Sequence, residues 1–283
     1  TSLTDVTGVQ TCALPIFSGV STIYSVREYG RLYGILEKWG RSIDRFYVAN
    51  SMAGMRSVLR IMGMQGKVTL IPNGIEPSPY YEEREKWRVA GRRRWNIQET
   101  DRVVGIVAQL RPAKRHDLLI RAVAKWKDFP GLKLLVVGSG EREKELRSLA
   151  KKEGMEEKTI FTGYQEDARR LMPVMDIFAL PSMIEGQSVS LMEAMQMGLP
   201  VISTPVGGIP EFVKHMETGL LVEPGNQEAF SRSLGTLLGD EKKREEIGRK
   251  ARLSICETFT VERMTRQFEA LYEACVKQHF FKG

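Results

Sequence analysis

Two glutamates, Glu185 and Glu193, stand eight residues apart around the polar segment 186–188. Glu185 lies in the loop after the apolar run DIFALPS, and Glu193 lies about one turn inside the helix predicted to follow. This spacing lets both carboxylates face one cleft, where they can accept hydrogen bonds from sugar or ribose hydroxyls. The start of the same helix offers backbone N–H groups to a phosphate. The spacing Ser190-x-x-Glu193 also fits a capping box. The sequence therefore leaves two roles open for Glu193, namely ligand binding and local stabilisation of the helix.

A basic loop with the sequence LRPAKR follows the apolar run VVGIVAQ. It contains Arg111, Lys114 and Arg115, and its position after a predicted strand puts these cations at the carboxyl end of a sheet. Arginine offers a planar fork of donors and lysine a point charge, so the loop can hold a diphosphate. A solvated basic loop fits the same residues equally well. The next residue, His116, is predicted to be partly exposed on the helix that follows.

The glycines Gly138 and Gly140 follow the apolar run LKLLVV and open a predicted helix. That placement suits phosphate binding, but Glu143 stands where a dinucleotide fingerprint has its third glycine. A tight strand-to-helix turn is therefore the favoured interpretation, and a nicotinamide cofactor is not expected. The sequence has no Asp-x-Asp pair, only three histidines, and three cysteines without a CxxC spacing. We therefore expect no metal and no cofactor.

Six short apolar runs alternate with helical stretches from Arg102 onward. These runs are the predicted elements that must position the loops described above. Continuous apolar strands that alternate with helices predict a doubly wound parallel sheet, with ligands at the carboxyl ends of its strands. The predicted strands are VVGIVAQ, LKLLVVG, TIFTG, DIFAL, PVIST and GLLVE, and the predicted helices span 115–127, 141–153, 166–173, 189–197 and 209–215.

The residues on either side of this sheet predict further elements. Strands are predicted over 20–26, 45–50 and 67–74, with a helical stretch to about Arg41 after the first and a helix capped by Ser51 after the second. Residues 77–100 predict a connector with a short basic helix, and residues 226–280 are predicted to be helical throughout.

Composition narrows the classes of partner. With 42% hydrophobic and 27% charged residues, the chain of 283 residues can fill a core and keep its surface solvated, which excludes disorder. Its net charge of +7 favours anionic partners, namely nucleotides, phosphates, anionic lipid or nucleic acid. The sequence contains no run of about 18 apolar residues that could form a membrane span. The distant cysteines fit a reducing compartment.

Six segments of the chain, in order, resemble glycosyltransferase family 4, whose members are retaining sugar transferases with two Rossmann-like domains in the GT-B arrangement. The resemblance runs from about residue 20 to the C-terminus and is strongest over 103–226. One such motif would be weak evidence, but six in the family's order are strong evidence. The segments are AQLRPAKRHDLL, VVGSGE, FTGY, PSMIEGQSVSLMEAMQMGLPVIST, VGGIPE and TGLLVEPGN.

The resemblance implies a role for each matched residue. Glu185 and Lys114 are the implied catalytic residues: Glu185 faces the donor sugar, and Lys114 holds the donor diphosphate. Glu193 is implied to bind the ribose of the nucleotide. The other implied substrate-binding residues are Arg111 and Gln109 in the basic loop, Gly186, Gln187, Ser188 and Val189 around the helix start, and Gly163 and Tyr164 beside the base. The family works without a metal, which agrees with the missing Asp-x-Asp pair.

Two positions depart from the family's pattern. Gln109 stands where the family often has an arginine, so Arg111 is expected to supply that charge. Tyr24 stands where the acceptor domain often has a histidine. A phenol cannot act as a base at neutral pH as an imidazole does, which argues against an acceptor-side role for Tyr24.

The first residues differ in character from the rest, because VTGVQTCALPI over 6–16 resembles the translation of a sequencing-library adapter. We therefore expect the authentic N-terminal part to be missing, and the chain as given to be inactive. The fold class implied is α/β of the GT-B type, with one complete doubly wound donor domain and a remnant of the N-terminal domain. The predicted organisation is a non-native artefact over 1–16, the acceptor-domain remnant over 17–76, a linker over 77–100, the nucleotide-sugar-binding domain over 101–258, and a helix returning toward the N-terminal domain over 259–283.

The functional prediction is transfer of a sugar from a UDP-, GDP- or ADP-sugar to a sugar or lipid-linked acceptor, in polysaccharide or glycolipid assembly. A nucleotide-sugar epimerase and a non-catalytic nucleotide-sugar-binding fragment remain as alternatives. Nucleic-acid binding is not expected, because no aromatic stacking pattern accompanies the basic residues over 84–94. A solvated linker helix is the favoured interpretation of that stretch, but it could also attract anionic lipid. We therefore expect a cytoplasmic location, with peripheral contact at the inner face of a membrane.

Overall fold

The structure is a computed structural model that describes residues 22–26, 45–62 and 68–280. The interpretation of 1–16 as an artefact and the helix predicted to end near Arg41 lie outside the described residues. The chain divides into two compact units. The first contains the described residues up to Ile75, the tripeptide Glu185–Gln187 and the chain from Phe259 onward, and the second contains Glu76–Ile184 and Ser188–Thr258.

The described residues form nine strands and eight α-helices. The strands are β1 Thr22–Val26, β2 Arg45–Ala49, β3 Val68–Leu70, β4 Arg102–Val107, β5 Leu132–Val137, β6 Thr159–Gly163, β7 Ile177–Leu180, β8 Val201–Ser203 and β9 Leu220–Leu221. The helices are α1 Met52–Met62, α2 Arg84–Arg94, α3 His116–Ala124, α4 Glu143–Lys152, α5 Val189–Gln196, α6 Gln227–Gly239, α7 Glu241–Thr258 and α8 Val261–Phe280. No described helix combines the length and the apolarity needed to cross a bilayer.

The first unit contains a parallel sheet in the order β1-β2-β3. Val48 of β2 and Ile71 pack with Leu271 and Cys275 of α8, and these four residues form its buried core cluster. As predicted, Ser51 caps α1, because its Oγ accepts a hydrogen bond of 3.1 Å from the N–H of Gly54. The third strand is shorter than predicted, since Pro72 has no N–H to continue the ladder.

The second unit contains a six-stranded parallel sheet in the order β6-β5-β4-β7-β8-β9. Its central strands are buried, and Val103, Val104 and Ile106 of β4 have no exposed surface. Helices α3 and α6 pack together, as do α5 and α7. The doubly wound parallel sheet predicted from the apolar runs is confirmed, and its order brings the carboxyl ends of β4, β5, β7 and β8 to one edge.

Two predicted helices of this unit are wrong in type or length. The segment predicted over 209–215 forms only one turn of 3-10 helix, Ile209–Glu211, before His215 pairs with Gly219 in an isolated bridge. The segment predicted over 166–173 is a 3-10 helix, Ala168–Val174, with Pro173 inside it. Proline has no N–H for an α-helical bond, which disfavours regular α-helix there.

Helix α2 lies within the stretch that the sequence predicts as a linker, and its contacts place it in the second unit. Arg88 and Arg92 bond the carboxylate of Asp176, just before β7, at 2.7 and 2.9 Å. The same carboxylate accepts a hydrogen bond of 2.7 Å from the N–H of Val103. These bonds fix α2 at the amino ends of the central strands, opposite the edge where ligands are expected.

Candidate functional site

The basic loop after β4 contains a 3-10 turn, Pro112–Lys114, that ends on Arg115 in the left-handed conformation with φ of 51°. Arg115 is committed to Asp117, with an ion pair of 3.2 Å. Arg111 is exposed, and Lys114 is half-buried. The exposed residue Gln109 contributes its carbonyl, which accepts a hydrogen bond of 2.8 Å from the N–H of Arg111. Arg115 is one of the cations predicted to meet a ligand, but in the structure its ion pair with Asp117 holds the loop in place.

Asp117 joins the basic loop to the turn before α4. It accepts hydrogen bonds from Arg115 and, at 3.2 Å, from Arg142. Burial alone would raise the pKa of the Asp117 carboxyl, but the bonds from the two arginines bring it below its ordinary value. The carboxylate therefore stays ionised and keeps the two turns together.

His116 is buried, contrary to the expectation that it lies partly exposed. Its side chain is 1% exposed because it starts α3 beneath the basic loop. Burial, together with the positive charge of Arg142, lowers the pKa of its imidazole to about 4. The ring is neutral at neutral pH and adds no charge to the site.

The loops that follow the central strands are joined by hydrogen bonds to backbone carbonyls. The N–H of Leu110, after β4, donates to the carbonyl of Ser139, after β5, at 3.0 Å. The N–H of Met183, after β7, donates to the carbonyl of Ala113 at 2.8 Å. The hydroxyl of Thr204, after β8, donates to the carbonyl of Ser182 at 2.5 Å. Met183 thus ties the loop after β7 to the turn that contains Lys114.

The glycines after β5 are explained by close backbone packing. A Cβ atom on Gly138, whose φ is +137°, would lie 2.1 Å from the carbonyl oxygen of Ala108. A Cβ atom on Gly140 would lie 2.7 Å from the carbonyl oxygen of Leu110. Because α4 begins only at Glu143, these glycines are not at its first turn. The tight strand-to-helix turn favoured from the sequence is confirmed.

Glu185 and the three residues that follow it are buried. Glu185 is 6% exposed and Gln187 is 5% exposed. Gly186 is buried as well, and these three residues belong to the first unit. Ser188 and Val189 belong to the second unit, where Ser188 is buried at the start of α5 and Val189 is exposed.

The capping-box interpretation of Glu193 is wrong. Helix α5 begins at Val189 with Ser188 in the N-cap position, so Ser190 is already inside the helix. The hydroxyl of Ser188 makes no capping bond and instead lies 3.4 Å from that of Ser190. Glu193 therefore lies one turn inside the helix with no local capping partner, as its ligand-binding interpretation requires.

Glu193 lines a cleft of about 640 Å³ in the second unit, together with the loop that follows β6. Burial raises the pKa of its carboxyl to about 7, although the nearby charge of Arg169 opposes the rise. Gly163 ends β6 with φ of +68°, and Tyr164 is 73% exposed at the cleft. The cleft residues are Tyr164, Gln165, Glu166, Asp167, Ala168, Arg169, Arg170 and Glu193.

Asp167 organises the wall of this cleft. It accepts hydrogen bonds from Arg169 at 2.8 and 2.9 Å and from the hydroxyl of Tyr80 at 2.7 Å. The bonds from Arg169 lower the pKa of the Asp167 carboxyl to about 2, with a further contribution from Tyr80. Arg170 donates to the same tyrosine hydroxyl at 3.1 Å. A fixed guanidinium of Arg169 beside a half-buried Glu193 can recognise a polyhydroxyl or anionic ligand.

Sequence reasoning missed Asp167, Arg169 and Tyr80. The run DARR, after the FTGY segment, was the available signal, because an aspartate two residues before an arginine can fix it across a turn. The contribution of Tyr80 had no local signal, since it depends on a contact across 87 residues. Among the described residues, no group of three or more histidine, cysteine or acidic side chains is placed to hold a metal ion.

Comparison with known proteins identifies a matching family model. The model for "Glycosyl transferases group 1" matches residues 89–254, which is more than half of the chain. N-acetyl-alpha-D-glucosaminyl L-malate synthase of Bacillus anthracis is 33% identical over 181 residues, which are 64% of this chain and 48% of that protein. The chain spans about half the length of the curated relatives it matches.

Solved structures share the fold. HepE of Anabaena in complex with UDP has a TM-score of 0.74 at 25% identity, over 82% of this chain and 64% of that one. A glycosyltransferase of Rickettsia africae has a TM-score of 0.77 at 20% identity, over 90% and 70% of the two chains, which shows a common fold. With the parallel sheet described above, these likenesses confirm the predicted fold class, α/β of the GT-B type.

Proposed function

The chain belongs to the glycosyl transferases group 1 family, and from this premise we propose that it transfers a sugar from a nucleotide-sugar to an acceptor hydroxyl. We propose that the reaction retains the configuration at the anomeric carbon. The observation that carries the proposal is the hydrogen bond of 2.8 Å between the N–H of Met183 and the carbonyl of Ala113. It fixes the loop that follows β7 to the turn of Lys114, at the carboxyl edge of the sheet of the second unit.

Lys114 and Arg111 would hold the donor diphosphate. Both follow β4 at its carboxyl end, and Arg115 is already paired with Asp117. Positive charge beside the phosphates stabilises the negative charge that develops on the leaving group, especially where water is excluded. Gln109 would contribute through its carbonyl bond to Arg111, because its side chain carries no charge. A front-side displacement assisted by the leaving phosphate fits this arrangement.

Glu193 and the cleft after β6 would bind the nucleoside. A carboxylate can accept hydrogen bonds from both hydroxyls of a ribose, and Glu193 lines this cleft. Gly163 and Tyr164 would lie beside the base. The amides of Gln187, Ser188 and Val189, with Gly186, would contact the donor sugar or its phosphate. Glu185 would face the sugar itself.

UDP is the nucleotide we favour over GDP and ADP. The similar HepE structures contain UDP, and one contains UDP-glucose. A sugar or lipid-linked acceptor, within polysaccharide or glycolipid assembly, is part of the same proposal. A cytoplasmic location and peripheral contact with anionic lipid also belong to this proposal. With Arg88 and Arg92 held by Asp176 and Lys86 paired with Glu83, the exposed cations of α2 that we propose for that contact are Arg84, Arg93 and Arg94.

A donor panel tests the proposal. Calorimetry with UDP-, GDP- and ADP-sugars should show binding to a UDP-sugar that is lost on Lys114→Met and kept on Lys144→Met, an exposed lysine of α4. With the full-length protein, since this chain spans about half the length of its curated relatives, nuclear magnetic resonance of the product should show the donor's anomeric configuration. Conversion of the donor to an epimer without any acceptor would favour the epimerase instead, and failure to bind any nucleotide-sugar would refute the proposal.

A further inference from the structure

The tripeptide Glu185–Gln187 is bonded to the turn that follows β3. The N–H of Asn73 donates a hydrogen bond of 2.6 Å to Oε1 of Gln187, across 114 residues of sequence. The side-chain amide of Asn73 also approaches the carbonyl of Gln187 at 3.5 Å. These contacts agree with the grouping of the tripeptide in the first unit, while its neighbours Ile184 and Ser188 belong to the second.

The turn that donates this bond is itself fixed on both sides. Before it, Ile71 is buried in the core cluster, and its N–H donates to the carbonyl of Ala49 at 2.9 Å. After it, the N–H of Ile75 donates to the carbonyl of Phe259 at 3.0 Å. At Gly74 a Cβ atom would lie 2.4 Å from the carbonyl oxygen of Thr260, so the backbone there is closely packed. Asn73 therefore presents its N–H from a rigid support.

The side chain of Gln187 has little else to hold it. It is 5% exposed, so water cannot replace the bond from Asn73. Its Nε2 atom is buried and has no hydrogen-bond partner within the described residues. Burying an amide with half of its hydrogen-bonding capacity unused is unfavourable, and an apolar side chain would avoid that cost. What the buried Gln187 side chain provides in return is a defined position for the Glu185–Gln187 tripeptide.

We propose that Gln187 is a positioning residue whose side-chain oxygen holds the Glu185–Gln187 tripeptide against the Asn73 turn. It thereby sets the place of the Glu185 carboxylate, two residues away. The consequence for turnover rests on the proposed function, since it assumes that Glu185 acts on the donor sugar. The bond itself can be tested without any activity.

Site-resolved hydrogen exchange of the Asn73 amide measures the bond directly. In Gln187→Met this amide should exchange at least about tenfold faster, as expected when a buried hydrogen bond is lost. The amides of Ile71 and Ile75 should keep their rates, because their acceptors are backbone carbonyls. Gln196→Met is the matched control: Gln196 is 4% exposed and donates a bond of 2.9 Å to the carbonyl of Glu76. It should leave the Asn73 rate unchanged.

A second variant separates positioning from general loosening. Gln187→Glu keeps an oxygen acceptor for Asn73 and should restore slow exchange at Asn73. In the full-length protein at saturating donor, Gln187→Met should lower kcat by about tenfold with little change in KM, and Gln187→Glu should recover most of kcat. An unchanged Asn73 rate in Gln187→Met would overturn the tether. A lost tether with unchanged kcat would overturn the positioning role. A full-length wild-type protein without sugar transfer would instead count against the proposed function and leave the exchange result standing.

Discussion

Replacing Glu193 by glutamine should stabilise the second unit and weaken nucleotide binding at the same time. Burial raises the pKa of this carboxyl from its usual 4.5 to about 7, so the folded chain binds its proton more tightly than the unfolded chain. The free energy of unfolding must then fall as the pH rises through that window. At about 1.4 kcal/mol for each pKa unit, the full cost above the window is about 3 kcal/mol. Glu193→Gln removes the ionisation and therefore the cost.

Urea unfolding at two pH values measures this effect. At about pH 8 the variant should be more stable than the wild type by up to about 3 kcal/mol, and at about pH 4 the two should be nearly equal. Glu245→Gln, an exposed residue of α7, is the matched control and should change stability little at either pH. A stability difference that does not grow between the two pH values would refute the burial argument.

Nucleotide affinity should move in the opposite direction. The ionised carboxylate is the better acceptor for ribose hydroxyls, and a lost hydrogen bond to a charged group costs about 1.5–3 kcal/mol. UDP affinity of Glu193→Gln should therefore be about 10- to 150-fold weaker than that of the wild type at high pH. The difference in affinity should narrow as the pH falls and wild-type Glu193 becomes protonated. Equal affinities at every pH, measured by calorimetry, would show that Glu193 does not bind the nucleotide.

Three further predictions concern other parts of the second unit. Lys114→Met should weaken calorimetric binding of UDP more than that of uridine, and an equal loss for both would refute a diphosphate contact. Asp167→Asn should free the guanidinium of Arg169, lower UDP affinity and reduce thermal stability; unchanged affinity would show that the wall of the cleft needs no fixed arginine. Gly138→Ala should destabilise the fold by at least about 1–3 kcal/mol in urea unfolding, because its Cβ would overlap the Ala108 carbonyl. Gly239→Ala, where a Cβ meets nothing within 4 Å, should be harmless, and equal effects of the two changes would contradict the packing explanation.

The sheet of the second unit could be predicted because its information is local. Runs such as LKLLVV are continuous in hydrophobicity, and a strand covered on both faces needs that composition whatever its neighbours are. The turn at Gly138 was likewise readable, since glycines between a strand and a helix indicate close backbone approach. These features depend on a few adjacent residues.

The details of the site depend on partners that the local sequence does not show. In the sequence Arg115 resembles a ligand-binding cation, but in the structure it forms an ion pair with Asp117. His116 is polar and follows a basic loop, but the packing of α3 buries it. A helix start displaced by two residues, at Ser188 rather than Ser190, decides whether Glu193 can cap it. Spacing alone cannot fix a helix start to that accuracy.

The bonds of Asp176 determine where an independently folding second unit has to begin. Its carboxylate accepts from Arg88, Arg92 and the N–H of Val103, so a piece of chain that started at β4 would lose two of these donors. Removing the partners of a buried charge typically costs about 3–5 kcal/mol, a large share of the stability of a domain. The shortest autonomous piece therefore starts before α2, and the stretch that reads as a spacer in the sequence is a structural part of the sheet's support.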